Sequence, residues 1–258
     1  MRKWLQSWDL LTFHAGCALR AEFSRYHLHF IWWLMDPLFN LAVLYVVFGV
    51  FLPGAGPNFA LFLLTGLVLW QWFGNTVGHA TTSIYGAMRM FQQFRVHPLH
   101  FPLCVFVQDL AKYIPVFLVF LLAMAIFSPL GPSLLWLNVV PVMLTEGLFI
   151  IGCAVLVAAL VPFVPDLAVV VPIVIQTLFF ASGIFFNIDE VVLPHHRAIM
   201  YLNPNAVCIK ALRNILIDGQ LPDWSLLAEA ALIGLTILLI GVALVTRFRS
   251  VYPRLIEQ

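Results

Sequence analysis

The sequence predicts an all-α polytopic membrane protein with six transmembrane helices, on three observations. Six apolar runs are each long enough to cross a bilayer, few ionisable side chains fall inside them, and the lysines and arginines collect on one side of them. A helix rises about 1.5 Å per residue, so roughly 20 apolar residues cross a hydrocarbon core of about 30 Å. The runs cover residues 31–52, 59–83, 103–130, 134–161, 167–188 and 226–245. Backbone N–H and C=O groups cannot go unpaired in lipid, so these runs are expected as helices and not as open sheet.

Six spans put both ends of the chain on the same side. That side holds Arg2, Lys3, Arg20, Arg25, Arg89, Arg95, Arg247, Arg249 and Arg254, against Arg197, Lys210 and Arg213 on the other, with Lys112 at the edge of the third run. Positive residues favour the cytoplasmic face, so both termini are expected there. With 62% hydrophobic and 10% charged residues, nearly the whole chain reads as one membrane domain, and a net charge of +1 gives no reason to expect nucleic acid.

Residues 1–29 read as a cytoplasmic interface helix. Trp4, Leu5, Trp8, Leu11, Ala15, Ala18 and Leu19 recur at helical spacing with most of the charged residues off that stripe, and no continuous apolar core of a signal peptide occurs among them. Spans one to five occupy 31–188, with Pro37 expected to bend the first. In the second, Gly74-Asn75-Thr76-Val77-Gly78 is a GxxxG that permits close helix approach, within the subunit ahead of a seam between two copies. The loop after it carries Arg89, Met90, Phe91, Gln92, Gln93, Phe94 and Arg95, a short helix stopped ahead of Pro98, whose paired phenylalanines call for a partner surface or for the membrane.

Residues 189–223 are expected as two short external helices, re-entrant or capping. Pro194 opens the first, Asn203-Pro204 breaks it, and Asp218-Gly219 stops the second. Span six follows at 226–245 and a cytoplasmic tail at 246–258.

The sequence carries little catalytic chemistry. None of the three lysines, Lys3, Lys112 and Lys210, follows a glycine, so a GxxxxGK[ST] nucleotide loop is excluded, and HExxH and GxSxG are absent. The four cysteines form no CxxC, and the adjacent His195 and His196 diverge on a helix, so no metal site is expected. Charges at bilayer depth need partners or a wet cavity. Asp109 and Lys112, three apart, can neutralise each other, whereas Glu146 has no local cation and is a candidate for a transport path or for hydrogen bonding to another helix. Aromatic side chains crowd spans one and five, including Tyr45, Phe48, Phe179, Phe180, Phe185 and Phe186. Facing a cavity, their flat apolar faces suit the CH face of a sugar ring; otherwise they pack or face lipid.

Several stretches resemble one family across the chain. Leu19-Arg20-Ala21-Glu22-Phe23-Ser24-Arg25-Tyr26 runs into Trp32-Trp33-Leu34-Met35-Asp36-Pro37. Phe62-Leu63-Leu64-Thr65-Gly66-Leu67, Phe94-Arg95-Val96-His97-Pro98-Leu99, Phe179-Phe180-Ala181-Ser182-Gly183-Ile184 and Asn203-Pro204 before Leu212-Arg213 follow in order. With the six-span layout, they resemble the membrane subunit of type-2 ABC exporters, and within it the capsular polysaccharide export permeases, with O-antigen permeases next. The resemblance implies a homodimer, two cytoplasmic ABC ATPase subunits that bind ATP and Mg, and no cofactor in this chain. The cargo it implies is a lipid-linked glycan leaving the bacterial cytoplasmic membrane, with periplasmic and outer-membrane export proteins as further partners. Residues 89–95 become the coupling helix, spans one and five line the conduit, and Pro194, Asn203, Pro204 and Arg213 belong to an external gate. Arg20 and Arg25 stand where a lipid-phosphate headgroup approaches, though anchoring to the membrane explains them equally. Pro165-Asp166 departs from the Arg-Asp of many relatives. The alternatives are an exporter of a small hydrophobic molecule or lipid in the same superfamily, and a proton-coupled carrier built on Glu146 and Asp109.

Overall fold

A computed structural model describes residues 16, 17, 20, 29–51 (29–34 by backbone alone), 58–87, 96–128 and 130–252. The interface arm and the 89–95 segment lie almost wholly outside them. The described residues are helical throughout, without strands. The first helix, α1 (His29–Leu44), carries Pro37 inside it and continues as a π-helical stretch, Tyr45–Phe51. Then come α2 (Phe59–Thr81), a short α3 (Ser83–Gly86), α4 (His100–Phe127) and α5 (Val139–Leu160), the last entered through a 3-10 turn at Leu134–Asn138. After α6 (Leu167–Ala181), three short helices form a cap: α7 (Ile188–Val191), α8 (Pro194–Tyr201) and α9 (Pro204–Arg213), with a π turn at Asn214–Asp218. The chain returns through α10 (Trp224–Arg247).

Four helical segments are long and apolar enough to cross a membrane: Phe59–Gly86, His100–Phe127, Leu134–Leu160 and Trp224–Arg247, with shorter apolar helices at Met35–Phe51 and Leu167–Ala181. All six apolar runs are therefore helical, but the fifth ends early. Gly183, at φ +67°, takes a left-handed conformation that favours glycine, and it turns the chain out of α6 before the run's apolar residues are used up.

The most extensive pairing joins α5 to α10. It rests on glycines: a Cβ at Gly152 would lie 2.9 Å from the Gly234 carbonyl oxygen, and one at Gly241 2.9 Å from the Leu156 nitrogen. Two backbones in such contact gain dispersion along their length. Among the described residues the expected GxxxG approach is made at Gly74 alone. A Cβ on Gly74 would meet Ile175 of α6 and the Trp70 indole nitrogen, both at 3.6 Å, and no described atom stands within 4 Å of one on Gly78. The core is formed by α2, α4 and α5 with α9, through Leu67, Trp72, Phe73, Tyr113, Phe149 and Leu212. A second cluster at the other end fixes the tail, where the buried Tyr252 hydroxyl donates to the Ala159 carbonyl at 3.2 Å.

Candidate functional site

The cap is built by local rules. Asn203 caps α9 by accepting from the Asn205 N–H at 3.2 Å, and Pro204, with no N–H to lose, opens the helix. Pro194 does the same for α8. The Asn203 amide also donates to Ser182 Oγ at 2.8 Å, and that hydroxyl donates to the Leu178 carbonyl at 2.6 Å, so the break between α8 and α9 is fastened to the end of α6. At the far end, Gly219 (φ +66°) closes the π turn, and Ser128 Oγ holds the Leu216 carbonyl at 2.9 Å.

Arg213 is the central fastening. The residue is 8% exposed, and its guanidinium donates to three backbone carbonyls: Phe62 (from Nε at 3.3 Å and Nη2 at 3.0 Å), Gly183 (2.8 Å) and Ile184 (2.6 Å). It also lies 3.3 Å from the centroid of the Phe62 ring. One side chain thus joins α9 to the start of α2 and to the turn after α6, and it gives buried irregular carbonyls a donor that lipid cannot supply.

Beside it opens a cleft of about 470 Å³, lined by Phe62, Phe185, Asp189, Tyr201, Lys210 and Arg213 among others. Across the cleft Lys210 Nζ meets Asp189 Oδ2 at 2.7 Å, the Tyr201 hydroxyl donates to Asp189 Oδ1 at 2.9 Å, and Lys210 lies 4.7 Å above the Tyr201 ring. Burial pushes the Asp189 carboxyl up, but the hydrogen bonds and charge of Lys210, the Tyr201 bond and the charge of Arg197 outweigh it and leave it below its ordinary value. Burial lowers the Lys210 ammonium; its bonds to Asp189 and Tyr201 more than offset that and raise it. Lys210, Asp189 and Tyr201 were not legible as a site. The one hint is the spacing of Lys210 and Arg213, three apart on one helix face.

The aromatic expectation brings together residues from two distant runs. Phe48 of the first stacks on Phe185 after α6, centroids 5.0 Å apart and planes 16° apart. Phe185 touches Phe186, Phe180 and Phe179, and Phe179 meets Trp70 of α2 edge-on at 5.6 Å. Phe185 and Phe186 also line the cleft, while Tyr45 is exposed on the π stretch.

A family model described as ABC-2 type transporter matches residues 19–217. The chain belongs to the ABC-2 type transporter family. It is therefore an integral membrane protein, as its apolar helices require. Among relatives of this ABC-2 chain is the O-antigen export system permease protein RfbA of Klebsiella pneumoniae, 24% identical over 245 residues, covering 93% of this chain and 92% of that one. The protein of the same name in Myxococcus xanthus is 25% identical over 224 residues, 85% of each chain. The polysialic acid transport protein KpsM of Escherichia coli is 24% identical over 231 residues, 88% of each.

The remaining candidates of this ABC-2 chain fall elsewhere. Glu146 is fully buried with the Cys208 thiol of α9 as its polar neighbour; it sits inside the helix bundle and lines neither the cleft nor the aromatic cluster. Asp109, also buried, pairs with His79 Nδ1 at 2.8 Å and with Lys112 at 3.7 Å, which realises the pairing expected three residues apart. Arg20 is exposed. Arg25 and Arg89, Met90, Phe91, Gln92, Gln93, Phe94 and Arg95 lie outside the described residues. The His195 and His196 rings are 3.9 Å apart, nearer than helical divergence suggests, and no cluster of three or more metal-ligating side chains occurs among the described residues. All four cysteines are free.

Proposed function

We propose that this chain is the permease subunit of an ATP-driven exporter that carries a lipid-linked polysaccharide across the bacterial cytoplasmic membrane. The observation that carries the reading is similarity over nine-tenths of the chain to permeases named for O-antigen export, with similarity of like extent to one named for polysialic acid. The physical chemistry agrees with it. The sequence has no nucleotide loop of its own, so the energy would come from separate ATPase subunits, which would grip residues 89–95. Two copies would form the path, with both termini in the cytoplasm and the cap of α7, α8 and α9 at the outer end. Aromatic faces at Phe48, Phe179, Phe180, Phe185 and Phe186 offer a surface over which sugar rings slide without being held by charge. Arg20 and Arg25 would meet the phosphate of the lipid carrier at the entry.

The test is deletion of the gene in its own host, with complementation. Lipid-linked glycan should build up on the cytoplasmic side while surface glycan disappears, and the chemistry of the trapped glycan tells capsule-type from O-antigen-type cargo. Unchanged surface glycan in the deletion strain, or uphill transport by the purified chain in vesicles without an ATPase, defeats the proposal. The second outcome would favour the proton-coupled carrier.

A further inference from the structure

One face of α2 and the turn after it presents no apolar side chain. Gln71, Gly74, Asn75, Gly78, His79 and Thr82 recur at intervals of three and four, which stacks them along a single stripe. The stripe belongs to a segment that is otherwise apolar and long enough to cross the membrane. Asn75, His79 and Thr82 are exposed, Gln71 is half-buried, and no described atom lies within 4 Å of a Cβ on Gly78. Three helices frame it. Gln71 Nε2 donates to Asp36 Oδ2 of α1 at 3.1 Å, Gly74 meets Ile175 of α6, and His79 pairs with Asp109 of α4. Asp36 also receives the Asn40 amide at 3.3 Å, and both of these residues are exposed, so the polar surface continues onto α1.

Acyl chains offer no hydrogen bonds, so exposed amides at this depth are strongly disfavoured against lipid. They are at ease against water or a polar solute. The groups on offer are mostly amides, an imidazole and a hydroxyl, and both bordering carboxylates are engaged by the protein: Asp36 by two amides, and Asp109 by His79 and Lys112. That is the complement of a polyhydroxyl chain. Bonds between neutral groups are also weaker than those to charged ones, so they can exchange as such a chain advances.

We propose that the stripe on α2 is one wall of a hydrated groove and hydrogen-bonds the hydroxyls of the glycan during its passage. The cargo half of this rests on the polysaccharide reading above; the groove half does not. Gly78 would set its width, because a side chain there starts from a Cβ with no described atom within 4 Å of it.

The test uses the whole exporter, permease with its ATPase, in inside-out vesicles. In a Cys17→Ser background, Asn75→Cys is compared with Leu122→Cys, an exposed apolar position on α4, for reaction with a charged methanethiosulfonate. Asn75→Cys should react at least about tenfold faster, because the attacking thiolate forms in water and not in hydrocarbon. Gly78→Leu should reach the membrane at the normal level and export little glycan. Equal labelling rates at the two positions overturn the groove, and so does ready disulfide formation between two Asn75→Cys copies, which would make the face a seam. Normal export by Gly78→Leu overturns the contact with cargo. Labelling is read without glycan, so fast labelling in a protein whose deletion leaves surface glycan unchanged refutes the polysaccharide reading and spares the groove.

Discussion

Replacing Arg213 by methionine measures how firmly the cap is held. The methionine keeps much of the apolar length over the Phe62 ring but removes every donor to the Gly183 and Ile184 carbonyls, now at 2.8 and 2.6 Å. A buried carbonyl that loses its donor forfeits about 1–3 kcal/mol, so the two together put at risk about 2–6 kcal/mol. Against this stands the relief of no longer burying a charge on a residue that is 8% exposed. A net loss of about 3 kcal/mol is the expectation, and at about 2–4 °C per kcal/mol it lowers the melting temperature by about 6–12 °C. Thermal unfolding of the purified protein in detergent, with limited proteolysis across residues 182–204, reads the change. Arg213→Lys keeps the charge but not the fork and should fall about midway. If Arg213→Met melts within about 2 °C of the parent and the 182–204 segment is no more readily cut, the guanidinium is not the fastening described.

Two further expectations concern other contacts. The Asp189 carboxyl is depressed in the folded chain, so its contribution is present above the ordinary carboxylate value, about 3.9, and is lost as pH falls through the folded one; the raised Lys210 contributes below about 10.4 and is lost as pH rises through its folded value. The contribution of the Asp189–Lys210 pair to proteolytic protection of the cap should therefore be flat between about pH 4 and 10 and fall on both sides, and Asp189→Asn should remove the acid limb that this carboxylate supplies; an acid limb unchanged in that variant rules out this carboxylate as its source. On the seam between α5 and α10, Gly152→Leu drives a side chain into the Gly234 carbonyl and the Leu238 nitrogen, at 2.9 and 3.0 Å from its first carbon. Overpacking of this kind is worth about 1–3 kcal/mol or more, so membrane levels should fall; normal levels and an unchanged melting temperature would show that the backbones can part.

Local features of the chain were legible because their causes are local. Asn203-Pro204 breaks the chain between α8 and α9, Pro194 starts α8 and Gly219 ends the π turn through backbone rules that act over a few residues. The pairing of Asp109 with Lys112 is of the same kind. Long-range partners were not legible: Arg213 finds the Phe62 carbonyl 151 residues away, and nothing in either segment names the other. The glycine motif at Gly74 and Gly78 misled for a related reason. Its spacing says that a face is flat, but only the fold says whether a neighbour occupies it, and the tight contact falls to Gly152, Gly234 and Gly241 instead. The fifth run reads as a full span because apolar residues continue on both sides of Ser182-Gly183, from Phe179 to Phe186, so hydropathy does not register the turn. Glu146 was visible as an anomaly, but its enclosure depends on Tyr113 of α4 and Cys208 of α9 closing over it.

That early turn at Gly183 also bears on the lipid around the protein. Fifteen residues of α6 amount to about 22 Å of rod, against roughly 30 Å of hydrocarbon. The bilayer must pinch by several ångströms beside this helix, bringing headgroups and their solvent nearer the midplane there than elsewhere on the perimeter. A hydrophilic passenger leaving along that flank would meet a shallower greasy barrier, and the transporter's output should respond to the chain length of the surrounding phospholipids.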